Sequence, residues 1–181
     1  MNNPAFFGYG SLVNLATHDY PNARPATLTG WRRIWRKTAQ GPQAFLSVER
    51  ADGVQIAGVV ADVPGADWAA LDLREAGYER HDVSHLIGHD GVVGPTSVYE
   101  VRDAHLQDAN NPILLSYLDV VVQGFLRVHG KKGVAAFFAT TAGWDTPILD
   151  DRANPRYPRH QPLTADERAL VDSHLAVVKK A

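Results

Sequence analysis

Residues 5–12 read Ala5-Phe6-Phe7-Gly8-Tyr9-Gly10-Ser11-Leu12. An apolar run of strand length enters two glycines spaced by one residue, which predicts a buried strand over residues 5–9 ending in a tight turn. Glycine reaches φ > 0 at little cost and lets main chain approach a ligand closely. Successive N–H groups in such a turn can form an anion-binding nest. A short helix starting near Ser11 would add the positive end of its dipole. The same pattern also serves as a plain tight turn after a core strand. A dinucleotide-binding fingerprint fits poorly, because a third glycine and a following βαβ unit are missing.

On the C-terminal side the pattern stays β-like as far as residue 101. Residues 26–38 predict a strand carrying Trp31 and Trp35. Residues 44–49 and 54–63 predict a hairpin joined through Ala51-Asp52-Gly53. Pro64-Gly65 breaks that strand, and Asp67 can cap a short helix over residues 68–76. Residues 78–87 and 96–101 predict two further strands around a turn-rich segment, 88–95. The character then changes. Asn111-Pro112 suits a helix start, with Asn as N-cap and Pro at the first helical position. Residues 113–128 are apolar nearly all round and predict a deeply buried helix. Gly130 ends it, and residues 131–141 predict a second helix. Residues 143–162 read as a long ordered surface loop. Thr164-Ala165-Asp166-Glu167 is a capping box opening a last helix to about Lys179. Strands mainly in the first half and helices in the second give an α+β class, with a curved or barrel-like sheet and helices packed on it.

The 181 residues suit one domain over 1–181, with 143–181 as an extension. The absence of cysteine excludes disulfides, zinc–thiolate sites and a cysteine nucleophile. A net charge of −2 provides no global field for nucleic acid or anionic lipid. No run approaches the roughly 20 apolar residues of a membrane span, and the N-terminus lacks a signal-peptide pattern. The expectation is a cytoplasmic protein with a small-molecule ligand, without nucleic-acid or membrane partners and with no signal for an oligomeric state.

The second informative stretch is Trp68-Ala69-Ala70-Leu71-Asp72-Leu73-Arg74-Glu75-Ala76-Gly77-Tyr78. Trp68, Leu71 and Glu75 share one helical face by i, i+3, i+7 spacing. Burial on that stripe would raise the carboxyl pKa and suit it to proton transfer near neutral pH. Ala69, Leu73 and Ala76 form a competing apolar row. Glu75 can also serve as a structural partner for Arg74, Arg80 or Lys37.

Tyr9-Gly10-Ser11-Leu12, followed some sixty residues later by Glu75 and Gly77-Tyr78, resembles the γ-glutamylcyclotransferase-like superfamily. That group includes γ-glutamylcyclotransferases, γ-glutamylamine cyclotransferases, glutathione-degrading ChaC-type enzymes and plant AIG2-like proteins. A weaker match is Ser116-Tyr117-Leu118, where the family often has a tyrosine near the substrate. The resemblance covers roughly residues 5–128. It implies a small mixed β-barrel with packed helices, and a cyclisation that needs no cofactor and no metal. The α-amine of a small γ-glutamyl peptide or amine attacks its own γ-carbonyl, giving 5-oxoproline and a free amine. The resemblance assigns Glu75 as general base and acid, and Tyr9, Gly10, Ser11, Leu12, Tyr78 and Tyr117 to substrate binding. A non-catalytic binding or regulatory module of the same fold, or an amidase or acyltransferase using the same pocket, are the alternatives. ChaC-type enzymes usually carry an aromatic or basic pattern after YGSL; here Val13-Asn14-Leu15 follows. The arginines of loop 150–159 either bind a distal substrate carboxylate as part of a lid or pair locally with Asp150 and Asp151.

Three other patterns point elsewhere. His81, His85 and His89 recur every four residues and would make a metal face on a helix, but the local signal is strand and turn, which spreads them apart. A GxSxG elbow is absent. Trp31, Arg32, Arg33, Trp35, Arg36 and Lys37 form a basic aromatic strand that alternation explains as a core face and a solvated face.

Overall fold

The computed structural model describes residues 3–89, 94–108 and 110–180. Its strands are β1 (Ala5–Gly8), β2 (Arg24–Arg36), β3 (Phe45–Asp62), β4 (Tyr78–Asp82), β5 (Ile87–Gly88), β6 (Thr96–Val101), β7 (Ile113–Leu114), β8 (Thr141–Ala142) and β9 (Ile148–Leu149). Its α-helices are α1 (Ala69–Arg74), α2 (Leu115–Ala139) and α3 (Ala165–Val178). The main sheet runs β4-β6-β1-β3-β2-β5, with β8 added alongside β2, and curls into a half-barrel. This is the α+β, barrel-like architecture the sequence predicts.

Strand β1 lies inside the sheet, antiparallel to β3 and parallel to β6. All four of its residues are buried, so both faces meet apolar side chains. Phe6 joins Leu12, Ala61, Val63, Leu71 and Tyr99 in a small cluster beneath α1. Phe7 joins the larger core, which is closed by Leu118, Val121, Val122 and Phe125 of α2. The strand's end, where the glycine turn begins, is thus held from two sides.

Several expected element boundaries move, and two of them have a clear physical reason. Ala51-Asp52-Gly53 does not turn the chain. Strand β3 is continuous, and its hairpin partner is β2, from Arg24↔Val60 to Arg36↔Phe45. The register shifts between Thr29 and Trp31, where the extra residues form a bulge. Gly30 and Gly53 adopt φ of +80° and +74° there. A positive-φ glycine serves a bulge as well as a turn, and pairing to β2 on both flanks keeps the strand running.

Likewise, Asn111-Pro112 does not open the long helix. Ile113 and Leu114 pair in parallel with Ile148 and Leu149, and the Asn111 amide donates to the carbonyls of Thr38 and Gly41 at 3.2 and 2.5 Å. The helix starts at Leu115 with no cap from its own N-cap side chain. Asp151 supplies the acceptor from a distance, taking the Ser116 N–H at 2.8 Å and its hydroxyl at 2.6 Å. A carboxylate at this position also complements the helix dipole. Gly130 interrupts the helix with φ +67°, as expected.

Residues 78–87 form the strand β4 and then a 3-10 turn at Ser84–Leu86 rather than one long strand. Of the expected turn over 88–95, residues 90–93 lie outside the described residues. The capping box at Thr164 is present, with reciprocal bonds to Glu167 of 3.1 and 2.8 Å. Among the described residues no helix is long and apolar enough to cross a membrane.

Alternation along β2 holds throughout residues 31–36, and it places one charged residue on the core face. Trp31 and Trp35 turn inward, while Arg32 and Arg36 turn outward to Glu49. Arg33 turns inward with the tryptophans and is wholly buried. Its guanidinium lies over Phe125 and Phe137, 5.1 Å from each ring. It donates to the Ala57 carbonyl and to the hydroxyls of Thr140 and Thr141. Burial lowers its pKa to about 9, which leaves it charged at neutral pH.

A buried polar chain ties the turn to the far end of the molecule. The Asn14 amide donates to the Val120 carbonyl at 2.9 Å and to Gln123 Oε1 at 3.0 Å. The Gln123 amide donates in turn to the Pro162 carbonyl and the Glu167 carboxylate. Helix α2 reaches Asn14 because residue 124 is glycine: a Cβ there would stand 2.6 Å from the Asn14 nitrogen.

Candidate active site

Two connected hollows open at the end of β1. The inner one, about 30 Å³, is lined by Tyr9, Gly10, Ser11, Leu12, Glu75 and Tyr117, among others. The outer one, about 360 Å³, lies in the size range of small-molecule sites. Ser11, Leu46, Glu75, Tyr78 and Tyr117 border both. The residues singled out from the sequence therefore stand around one cavity.

The turn is a single 3-10 turn, Ser11–Val13, with Val13 and Asn14 N–H groups closing onto the Gly10 and Ser11 carbonyls at 3.0 Å each. The first N–H groups of such a turn have no partner within it. Neither Gly8 nor Gly10 has positive φ, so conformational freedom is not what these glycines provide. They provide room. A Cβ on Gly10 would lie 2.7 Å from the Tyr117 hydroxyl, and one on Gly8 would lie 2.7 Å from the Leu12 Cβ.

Glu75 stands at the C-terminal end of α1. Leu71 is fully buried beneath it, while Leu73 is 78% exposed; the stripe through Leu71 faces the core and the competing row faces solvent. Burial pushes the Glu75 carboxyl pKa up, and the positive charges of Arg74 and Arg159 pull it partly back. Arg74 Nε lies 3.4 Å from Glu75 Oε1. The same guanidinium donates to the Thr17 carbonyl at 2.9 Å and to the hydroxyls of Thr17 and Ser11 at 3.1 and 3.3 Å. Arg74 thus bolts the acid to the turn. The sequence marked it only as a possible ion-pair partner. Arg80, another candidate partner, instead meets Asp72 at 3.2 Å and covers Trp68.

Four tyrosines, Tyr9, Tyr78, Tyr99 and Tyr117, complete the inner wall. Tyr9 donates its hydroxyl proton to the Tyr99 carbonyl at 2.6 Å, and Tyr78 donates to the Leu46 carbonyl at 3.0 Å. Burial raises both phenol pKa values, with Glu75 adding to the effect on Tyr9 and Tyr9 to that on Tyr78. Burial, then Tyr157 and Glu75, also raises Tyr117, while hydrogen bonds with the backbone and hydroxyl of Ser11 act the other way. Tyr9, Tyr78 and Tyr117 stay neutral at physiological pH and present fixed dipoles to the cavity.

The outer hollow has walls that local sequence patterns did not single out, Gln43 and Phe45 before and at the start of β3, Leu114 and Leu149 from the β7–β9 pair and Tyr157 from the late loop, beside Arg156 and Arg159 of the loop whose arginines the sequence had marked. The unmarked walls come together only through strand pairing and loop closure, so nothing in their neighbours announces them. The loop's arginines do not pair with Asp150 and Asp151 as one expectation had it. Arg152 forms a two-pronged pair with Asp119 at 2.7 and 2.8 Å and reaches Asp172 at 2.8 Å. Asp151 holds main chain instead, accepting from Ser116 and from the Arg156 N–H. Among the described residues no cluster of three or more His, Asp or Glu side chains is arranged to hold a metal ion.

No curated protein matches the chain. Several solved structures share its fold. A gamma-glutamyl cyclotransferase superposes with a TM-score of 0.61 at 15% identity, over 93% of this chain and 98% of that one. An uncharacterized protein of Homo sapiens (loc79017) gives 0.58 at 15% identity, over 93% and 97%. YkqA from Bacillus subtilis gives 0.59 at 18% identity, over 79% of this chain and 57% of that one. At these identities the likeness speaks for the fold. The family model "Gamma-glutamyl cyclotransferase, AIG2-like" matches residues 6–117, which hold the glycine turn, Glu75 and Tyr117. The chain belongs to the gamma-glutamyl cyclotransferase, AIG2-like family.

Proposed function

We propose that this protein is a γ-glutamyl cyclotransferase that converts a small γ-glutamyl compound to 5-oxoproline and a free amine, with Glu75 as the proton carrier. The observation that supports it is the convergence of the Glu75 carboxylate, the Gly10–Ser11 main chain and the Tyr117 hydroxyl on one inner cavity.

The chemistry follows from charge. The substrate's α-ammonium cannot attack until it loses a proton, and ionised Glu75 accepts it. The freed nitrogen lone pair forms a bond to the γ-carbonyl carbon, and the carbonyl π pair moves onto oxygen. N–H groups of the turn stabilise that oxyanion or hold the substrate's α-carboxylate; one well-placed oxyanion donor is worth about 2.7–4 kcal/mol. The oxyanion then re-forms the carbonyl and the amide C–N bond breaks. Glu75 returns its proton to the departing nitrogen as that bond breaks, and the second proton, which the attacking nitrogen must shed to become the lactam N–H, passes by the same carboxylate to the amine, which leaves as an ammonium, so the reaction is proton-neutral. The raised carboxyl pKa suits both halves of this exchange. Folding the flexible γ-glutamyl chain for attack supplies a further part of the rate, up to about 7–11 kcal/mol in ideal cases. The reaction calls for no cofactor.

The test is to incubate the protein with a panel of γ-glutamyl peptides and amines and detect 5-oxoproline by mass spectrometry. Glu75→Gln should lower turnover by about 10²–10⁴-fold. Because an ionised Glu75 with a raised pKa costs the fold stability as pH rises, the variant should melt no lower than the parent at pH 7. Retained turnover in Glu75→Gln would refute the assignment, and release of glutamate in place of the cyclic product would show an amidase.

A further inference from the structure

Arg156 and Arg159 both line the outer cavity, and among the described residues neither guanidinium has a hydrogen-bonding or ion-paired acceptor. This sets them apart from Arg74, Arg80 and Arg152, whose acceptors are all supplied by the protein. The loop that carries them is firmly seated. The buried Asp151 carboxylate accepts the Arg156 N–H at 2.8 Å as well as the two Ser116 donors. Burial alone would raise the Asp151 pKa, but those hydrogen bonds outweigh it and hold the carboxyl below its ordinary value. The Tyr157 N–H donates to Ser116 Oγ at 3.2 Å, and its ring meets Tyr117 edge-on at 5.0 Å. Two exposed guanidinium groups without an acceptor therefore border the cavity from a seated stretch of main chain, and Tyr117, Phe45, Leu114 and Leu149 are among its other walls. Both arginines lie beyond residues 6–117, the part of the chain that the family model covers.

We propose that Arg156 and Arg159 form an anion subsite for a carboxylate on the leaving half of the substrate, so that the protein prefers γ-glutamyl derivatives of apolar α-amino acids to γ-glutamyl amines. The inference rests on the cyclotransferase reading above. With the reacting carbonyl between Glu75 and the turn, the departing nitrogen points to the outer cavity. An α-amino acid places its carboxylate one carbon from that nitrogen, within the arginine-lined space. Guanidinium groups bind carboxylates in paired, charge-assisted hydrogen bonds, and an apolar side chain can lie against Phe45, Leu114 and Leu149, which line the same cavity.

The experiment compares γ-glutamyl-leucine with γ-glutamyl-3-methylbutylamine, which differs only in lacking the carboxylate. The full chain should process the first with kcat/KM at least about tenfold higher, the range of one charge-assisted hydrogen bond. The Arg156→Gln/Arg159→Gln double variant should bring that ratio close to one, and the double lysine variant should restore part of it. An equal fall on both compounds, or no preference in the parent, overturns the proposal. Calorimetric titration of the same two compounds separates this from failure of the reaction itself. If neither yields 5-oxoproline but γ-glutamyl-leucine binds more tightly and loses that advantage in the double variant, the anion subsite stands and the cyclotransferase reading falls. Equal or absent binding removes both.

Discussion

The inner hollow and the outer one are built on opposite plans. Around the inner one, polar groups are tied down: Tyr9 to Tyr99, Tyr78 to Leu46, and Ser11 and Glu75 to Arg74, which itself borders the outer hollow. Around the outer one, Arg156 and Arg159 are left open. The first plan keeps the polar groups of the cavity at set distances. The second leaves charge available for a ligand to satisfy. The contrast also follows the chain, since the inner groups fall within residues 6–117 and the open arginines come later.

The largest effect should come from loosening the outer region alone. Arg152 and Asp119 are nearly buried, and Arg152 lines neither hollow. Burial already lifts the Asp119 pKa despite its partner. Arg152→Ala would leave that carboxylate unpaired and should cost about 3 kcal/mol, measured by denaturant unfolding. A cost under about 0.5 kcal/mol, the scale of ordinary surface substitutions, would mean the loop is not anchored there. Next comes a strike at the inner region. Gly10→Ala must displace the Tyr117 hydroxyl from its 2.7 Å position and should lower kcat/KM by roughly 10–100-fold while leaving the circular dichroism spectrum unchanged. A silent substitution would show that Tyr117 contact with the turn is dispensable. The smallest effect is on pH dependence. Burial places the acid limb of kcat/KM above the ordinary glutamate pKa, and the Arg74 charge opposes that rise. Arg74→Gln should shift the limb to higher pH; a shift to lower pH would mean that Arg74 does not stabilise ionised Glu75.

How much of this could be read beforehand depended on how local each determinant is. The strand into Gly8-Tyr9-Gly10, the capping box at Thr164 and the break at Gly130 are properties of a few neighbouring residues, and each appears where the pattern places it. Glu75 could be marked because Leu71, one turn earlier, reports which face is buried. Other features depend on partners far along the chain. Gly53 adopts the backbone of a turn yet sits in a bulge, because β2 pairs on both sides of it. Pro112 precedes a two-residue strand because β9 is there to receive it. Arg33 shares the inward face of β2 with Trp31 and Trp35, and its charge is accommodated there by two phenylalanines and the Ala57 carbonyl, all far along the chain. The seating of the arginine loop depends on Ser116 and Asp151, 35 residues apart.

The chain of amides from Asn14 through Gln123 to Glu167 links the C-terminal helix to the glycine turn although the helix lies outside both hollows. Glu167 closes the helix's own cap and receives the Gln123 amide as well. Fraying of that terminus would deprive Gln123 of an acceptor and let the residue directly after the glycine turn relax. The terminal helix therefore works as a remote clamp: stability at its first turn is transmitted, through two amides, to the residue that follows the glycine turn.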